Sequence, residues 1–258
     1  MCGGRGTRLG GDGEKPLATV AGRSMVDRTL DALAASRVET AYAAVSPHTP
    51  RTRERLVARR DDEGPEPEAG EAESLELVVV DTPGEGYVAD LRAALSEGPT
   101  APTLTVAADL PLLDGPAVGA VLDARAAADA DALSVRVPAA RKRELGASAD
   151  AATRYGDAEG GEGDAGDADG GDATGGDSTD DRVPAGINVV GALDGAGDEV
   201  VRATRDARLA VNVNRPGDRR LAERILAGDP DAPALPSGGV DWLDRGDSGA
   251  ASDGGEPS

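Results

Sequence analysis

The chain has 258 residues, a formal net charge of −21, 36 glycines and only 2% aromatic residues with no phenylalanine, a size that fits one large domain or two small ones. No run of 18 apolar residues is present, so no membrane-spanning helix is expected, and no basic-then-apolar leader is visible, which points to a cytoplasmic protein. One cysteine, Cys2, and one histidine, His48, exclude an internal disulfide and any multi-thiolate or multi-histidine metal site, and no G-x-S-x-G elbow accompanies that histidine.

Strand-like and helix-like segments alternate along the chain. Ser24–Ser36, with apolar residues at 25, 26, 30 and 33 and Ser24 as N-cap, reads as a helix. Thr40–Val45 reads as a strand, and Thr49–Arg60, with proline in its first turn, as a helix. Leu75–Val80 is a buried strand, Tyr87–Glu97 a helix, Thr103–Ala107 a strand, Gly115–Ala128 a helix and Ala132–Val137 a strand. Val183–Val190 follows as a strand, Asp198–Ala207 as a helix, Leu209–Val213 as a strand and Gly217–Ala227 as a helix. This alternation implies an α/β fold, Rossmann-like and three-layered, around a mostly parallel central sheet.

The acidic surplus is concentrated. Asp61–Glu73 carries seven acids and no base, Gly156–Asp181 ten acids and no base, and Asp229–Ser258 seven acids and one base; without them 26 bases face 24 acids. Segments so polar cannot bury a core and read as disordered. The expected organisation is a single domain over 1–228 with disordered acidic insertions at 61–74 and 145–182, then a disordered acidic tail at 229–258. The bases are skewed as well, with 25 arginines beside two lysines, Lys15 and Lys142. Acid-rich, lysine-poor composition suits a protein of a high-salt, halophilic cytoplasm, where self-repulsion is screened within about 3 Å at 1 M salt. A GC-rich genome would bias the composition the same way.

Near the amino terminus runs Gly3-Gly4-Arg5-Gly6-Thr7-Arg8-Leu9-Gly10-Gly11, then Glu14-Lys15-Pro16-Leu17. Glycines let backbone N–H groups close on a phosphate, Arg8 adds a planar multi-donor contact, and the Lys15 ammonium is a compact charge for phosphate oxygens. In a chain this poor in lysine, a lysine inside the motif points to a site where guanidinium does not serve. No G-K-[ST] follows, so this is not a Walker loop. Such a loop normally follows a strand and precedes a helix; only Met1 and Cys2 precede it here, so about six apolar residues forming a first, central strand are expected upstream of Met1.

The blocks GGRGTRLGG with EKPL, DTPGEGYVADL (81–91), VPAGINVV (183–190) and LAVNVNRPGDRRLAE (209–223) together resemble the archaeal-type GTP:adenosylcobinamide-phosphate guanylyltransferases. These are nucleotidyltransferases related to the molybdenum-cofactor guanylyltransferases. The resemblance covers residues 1–140 and 183–227 and excludes the acidic segments. It implies transfer of GMP from GTP to adenosylcobinamide phosphate, with release of pyrophosphate, in cobalamin biosynthesis. Magnesium would be the cofactor, with no nucleic acid and no membrane among the partners and a homodimer as a possible assembly.

Several residues acquire expected roles from that resemblance. Gly3, Gly4, Gly6, Thr7, Arg8 and Lys15 would hold the triphosphate. Asp109, which follows the strand Thr103–Ala107, sits where parallel-sheet proteins place ligands; a lone carboxylate there suits Mg²⁺, and the resemblance implies that role, although an N-cap role is the other use of such an aspartate. Asn212 and Asn214 alternate on one strand face, and either is a candidate for the same metal, with turn formation before Pro216 as the alternative for Asn214. The 81–91 block is implied to hold the base through Asp81, Thr82, Gly84, Gly86 and Tyr87. Guanine then needs an acceptor from Glu85, Asp81 or a backbone carbonyl, and Tyr87 either stacks or packs. Gly186 and Asn188 are implied to line the acceptor side. His48 and Cys2 are read as bystanders. Arg8, Lys15 and Asp109 form the implied catalytic set, with no general base required because a phosphate nucleophile is already ionised. The competing readings are a molybdenum-cofactor or another small-phosphate guanylyltransferase, a nucleotide-binding module without turnover, and an acidic scaffold.

Overall fold

A computed structural model describes residues 1–3, 9, 13–62, 75–149, 181–192 and 197–243. The glycine-loop residues Gly4, Gly6, Thr7 and Arg8, most of both acidic insertions, and residues 244–258 lie outside the described residues.

Lys15–Leu17 forms one 3₁₀ turn, followed by the short hairpin strands β1 (Thr19–Val20) and β2 (Arg23–Ser24). Helix α1 (Met25–Ala34) begins where the Ser24 hydroxyl accepts the Asp27 N–H, and it buries Met25, Val26, Leu30 and Leu33. β3 (Thr40–Val45) lies parallel to β4 (Glu76–Asp81), with α2 (Pro50–Asp62) as the crossover between them, the arrangement that parallel neighbours require. Helix α3 (Tyr87–Ser96) leads to β5 (Thr103–Val106), and α4 (Gly115–Ala127), capped by Asp114, leads to β6 (Ala132–Pro138). After α5 (Ala139–Leu145) come β7 (Arg182–Val190), β8 (Glu199–Ala203), the short α6 (Ala207–Ala210) and α7 (Pro216–Leu226).

The larger sheet runs β5-β7-β6-β8, with β7 antiparallel to both neighbours and β8 parallel to β6. Alternation along the strands buries Leu133, Val135 and Val137 of β6 and Ala185, Ile187 and Val189 of β7. With Val118 and Val121 of α4 these belong to one continuous core. The fold is α/β with a mixed sheet.

Three expectations need correction. Residues 198–207 are not a helix: Val200 and Val201 extend as β8 beside the open edge of β6, because ladder pairing outweighs a weak helical periodicity. Residues 209–213 are not a strand: the Asp206 carboxylate accepts the Arg208 N–H and caps α6, and an extended, unpaired stretch follows. The tail does not begin at 229. Thr204 bridges Trp242, the Leu243 N–H donates to the Ala203 carbonyl, and Leu235, Val240 and Trp242 pack on the core.

That carboxyl-terminal stretch is tied down by Arg208, whose side chain is fully buried. Its guanidinium donates to Asp206 at 2.6 Å, to Asp114 at 2.9 Å, and to the carbonyls of Gly238 and Gly239 at 2.8 and 2.9 Å. A buried cation is tolerable only when its donors are filled in this way. Replacing Arg208 by Met strands the buried Asp206 carboxylate, and a loss of about 3–5 kcal/mol is expected. Equilibrium denaturant unfolding measures it; a loss below about 1 kcal/mol would remove Arg208 from this role.

Candidate active site

A cavity of about 350 Å³ opens at the carboxyl end of β5. Gly3, Lys15 and Pro16 form one side, His48, Gly84, Gly86, Tyr87 and Asp90 another, and Ala107–Asp109 the base. The end of a strand is where backbone groups leave their ladder and side chains from several loops can meet.

Each wall has a local cause. Glu14 spends both carboxylate oxygens on the start of α2, accepting the Arg51 N–H at 2.8 Å and the Thr52 N–H and hydroxyl at 2.6 Å. This satisfies otherwise open helix N–H groups and places negative charge at the positive end of the helix dipole. It also fixes the next residue, Lys15. Across the cavity the buried Asp90 accepts the Gly84 N–H at 2.7 Å. Gly84 has φ +75°, and a Cβ there would lie 3.1 Å from the Pro47 ring and 3.3 Å from His48 Nε2, so a glycine is required.

At the base, Lys15 Nζ donates to Asp109 Oδ2 at 2.7 Å and to Asn214 Oδ1 at 2.6 Å. Asn212 Nδ2 donates to Asp109 Oδ1 at 3.2 Å and to the Ala185 carbonyl at 3.1 Å. Its Oδ1 accepts from Lys142 Nζ at 2.7 Å. These contacts fix the amide orientation, because a flipped Asn212 would set its oxygen against two acceptors and its NH₂ against an ammonium. Lys142 is 4% exposed. Burial lowers its pKa, and the nearby Asp109 and Asp218 carboxylates oppose that shift.

The 212–215 stretch is held from below. Asp218, 1% exposed, accepts the N–H groups of Asn214 and Arg215 at 2.9 and 2.8 Å and both donors of Ser148 at 2.7 and 2.8 Å. The Val213 N–H donates to the Asp109 carbonyl at 2.9 Å. Asn212 therefore reaches Asp109 and Asn214 reaches Lys15, although no strand carries them.

Of the residues singled out in the sequence, Gly3, Lys15, Gly84, Gly86, Tyr87 and Asp109 line the cavity, and Asn212 and Asn214 contact its base. Asp81 and Thr82 stand apart: Asp81 is exposed and pairs with Arg53 at 2.8 Å, while Thr82 bonds the Val45 carbonyl. Glu85 is exposed. Tyr87 is half-buried, and its hydroxyl bonds Thr105; burial raises its pKa and that bond opposes the rise. Asn188 turns its side-chain oxygen to the Val135 N–H, at the irregularity of β6 between Ser134 and Arg136. Gly186 has φ +89°, and a Cβ there would lie 3.0 Å from Asn212 Nδ2. His48 and Cys2, read as bystanders, both border the cavity.

Lys142, Asp90, Glu14 and Asp218 were not found from the sequence. The scarcity argument that singled out Lys15 applies equally to Lys142: both lysines of the chain converge on Asp109 and its amide partners. Asp90 and Asp218 lie inside motif blocks, but their roles depend on contacts made across the fold. Among the described residues no group of three or more His, Cys, Asp or Glu side chains could hold a metal, and no helix is long and apolar enough to cross a membrane.

Gly186→Ala is expected to strain its backbone and displace Asn212, costing about 1–3 kcal/mol in denaturant unfolding. Wild-type stability in that variant would show that the site tolerates a side chain there.

A family model described as a MobA-like NTP transferase domain matches residues 1–168. The chain is 29% identical over 234 residues to the adenosylcobinamide-phosphate guanylyltransferase of Methanocaldococcus jannaschii, a match covering 89% of this chain and 96% of that protein.

Proposed function

Because the chain belongs to the MobA-like NTP transferase family, we propose that it transfers GMP from GTP to adenosylcobinamide phosphate, releasing pyrophosphate, as the name of its archaeal relative indicates for that protein. The observation that carries the reading is the convergence of Lys15, Asp109 and Asn214 at the base of a cavity walled by Gly3 and the Gly84–Gly86 turn.

A phosphate oxygen of the acceptor attacks the α-phosphorus of GTP in line. One P–O bond forms, the bond to the β-phosphate bridge breaks, and pyrophosphate leaves. The nucleophile is already ionised at neutral pH, so the protein needs no general base, and catalysis rests on positioning and charge neutralisation. Lys15, held by Glu14, neutralises phosphate charge beside Asp109. The glycine loop with Arg8 is assigned to the triphosphate and the Gly84–Gly86 turn to the base. Gly186 leaves room on the acceptor side.

The residues present fit Mg²⁺. Asp109 Oδ2 and Asn214 Oδ1 are hard oxygen donors within reach of one point, now bonded to the half-buried Lys15 ammonium; Mg²⁺ would take them only as that ammonium turns to phosphate, and it binds through one or two such ligands while phosphates and water complete its shell. Bound there it would supply Lewis-acid stabilisation of phosphate charge. The oxygen of Asn212 is taken by Lys142, so this amide positions Asp109. Lys142, acting through Asn212, is a positioning residue.

Pyrophosphate release with adenosylcobinamide phosphate in molar KCl is expected with GTP and not with ATP, CTP or UTP. Release with none of them overturns the proposal, and release only with a different acceptor phosphate reassigns the substrate. Lys15→Ala and Asp109→Ala are each expected to lower kcat by about 10²-fold or more, the scale of a preorganised electrostatic contact, and Lys15→Arg is also impaired. Lys142→Met keeps the side-chain length and removes the charge. It is expected to lower kcat and raise the Mg²⁺ concentration needed for half-maximal rate, with GTP KM changed little; an unchanged Mg²⁺ profile would make its role purely structural.

A further inference from the structure

The reaction proposed above joins two anions. A phosphate monoester approaches an α-phosphorus whose own oxygens are charged, and the groups assigned so far, Lys15, Arg8 and the metal ligands, all serve the nucleotide. Neutralisation in phosphoryl transfer has to cover the attacking group as well, so the acceptor needs a positive group of its own. Arg136 of β6 meets that need. Its Nε is buried without a hydrogen-bond partner among the described residues. Arg208, by contrast, fills its guanidinium with two carboxylates and two carbonyls. A buried donor left open costs stability, and a ligand is one reason a fold keeps it. Arg125 Nε is open in the same way in the last turn of α4, but that turn leads into the start of β6, the end of the strand away from Asp109.

Ladder pairing fixes where Arg136 stands. Its partner on β7 is Pro184. The next residue, Ala185, gives its carbonyl to Asn212 Nδ2, the same amide nitrogen that donates to Asp109. One strand therefore separates Arg136 from the base of the site, a backbone spacing of about 10 Å across β7. Ladder partners share a face. Thr105, Asn188, Ser134 and Val201 are partnered in turn across β5, β7, β6 and β8, and Arg136, two residues after Ser134, lies on that same face. Tyr87, a wall of the active-site cavity, bonds Thr105 at one side of it. Val201 at the other side is 48% exposed. The face thus runs from the cavity to solvent. Arg182, the partner of Pro138, places a second guanidinium diagonal to Arg136. The β7 and β6 positions of this face, Arg182, Pro184, Gly186, Asn188, Ser134 and Arg136, carry no carboxylate in a chain of net charge −21.

We propose that Arg136 binds the phosphate of the acceptor, a phosphate monoester, and holds it in line with the α-phosphorus of the nucleotide. The inference rests on the guanylyl-transfer reading and adds the residue that receives the second anion. A guanidinium fork takes two oxygens of a phosphate. The third oxygen stays free to form the new P–O bond. Because arginine keeps its charge at any working pH, it favours the dianionic ester and takes no proton from it. Arg182 adds to the positive potential that draws an anion to this face. Asn188 keeps its side-chain oxygen on the Val135 N–H, so it forms floor beneath the acceptor and is not a ligand of the phosphate. The body of the ester lies over Ser134 and Asn188 toward Val201.

The test uses the full chain and two variants, Arg136→Met and Arg136→Lys. Arg136→Met is expected to raise the KM for adenosylcobinamide phosphate by about tenfold or more, the range of one hydrogen-bonded charge contact. GTP binding, measured by equilibrium dialysis without acceptor, is expected to stay unchanged, and Arg136→Lys to recover part of the loss. A second readout needs no turnover. In dialysis the wild-type chain is expected to bind adenosylcobinamide phosphate about tenfold or more tighter than adenosylcobinamide, and Arg136→Met to lose that preference. Because the open Nε gives the fold nothing, the thermal midpoint of Arg136→Met is expected to be unchanged or higher. A midpoint lowered by more than about 4 °C, or failure to fold, would make Arg136 a structural residue and overturn the proposal. An unchanged acceptor KM and preference overturns it too, as does an equal weakening of GTP binding. Guanylyl transfer with a phosphate preference independent of Arg136 removes the proposal and keeps the function. A preference that depends on Arg136 in a chain without transfer removes the function and keeps the phosphate site.

Discussion

The ion pair between Lys15 and Asp109 organises the rest of the site. An ammonium 2.7 Å from a carboxylate, with both side chains less than one-fifth exposed, would return little if it stood alone, because desolvation offsets most of the attraction. It does not stand alone. Asn214 gives the ammonium a second oxygen, and Asn212 gives the carboxylate a second donor. Asp218 and Glu14 hold the backbones from which these side chains extend. The result is a set of oxygens preorganised around one positive centre.

The second ammonium lies deeper. Lys142 is buried and bonds the amide that bonds Asp109, with the Asp109 and Asp218 carboxylates nearby. A chain with 25 arginines and two lysines places both lysines here. The physical reason is size: an ammonium presents one compact charge to two oxygens, whereas a guanidinium spreads five donors over a plane that this packed base would have to enlarge to admit. Where a guanidinium is buried, at Arg208, the fold surrounds it with two carboxylates and two carbonyls instead.

The surface and the site obey different electrostatics. The excess negative charge belongs largely to residues 61–73, 156–181 and 229–258, and the remainder of the chain is close to neutral. An anionic substrate can therefore approach a protein whose total charge is strongly negative, all the more so in salt that screens over a few ångströms.

Much of this was legible in the sequence because it is local. The alternation of apolar runs gave the β3, β4, β5, β6 and β7 strands close to their observed bounds, the Ser24 cap located the start of α1, and the EKPL and AADLP blocks named Lys15 and Asp109. What sequence reasoning missed is non-local. Val200 and Val201 extend because the edge of β6 lies beside them, and residues 209 and 210 close a short helix because Asp206 caps it. Asn212 turns its oxygen away from Asp109 only because Lys142, 70 residues earlier, reaches beneath it. Local propensity can be read along one segment, whereas the partner of a buried polar atom is set by whichever distant group the fold brings within hydrogen-bonding distance.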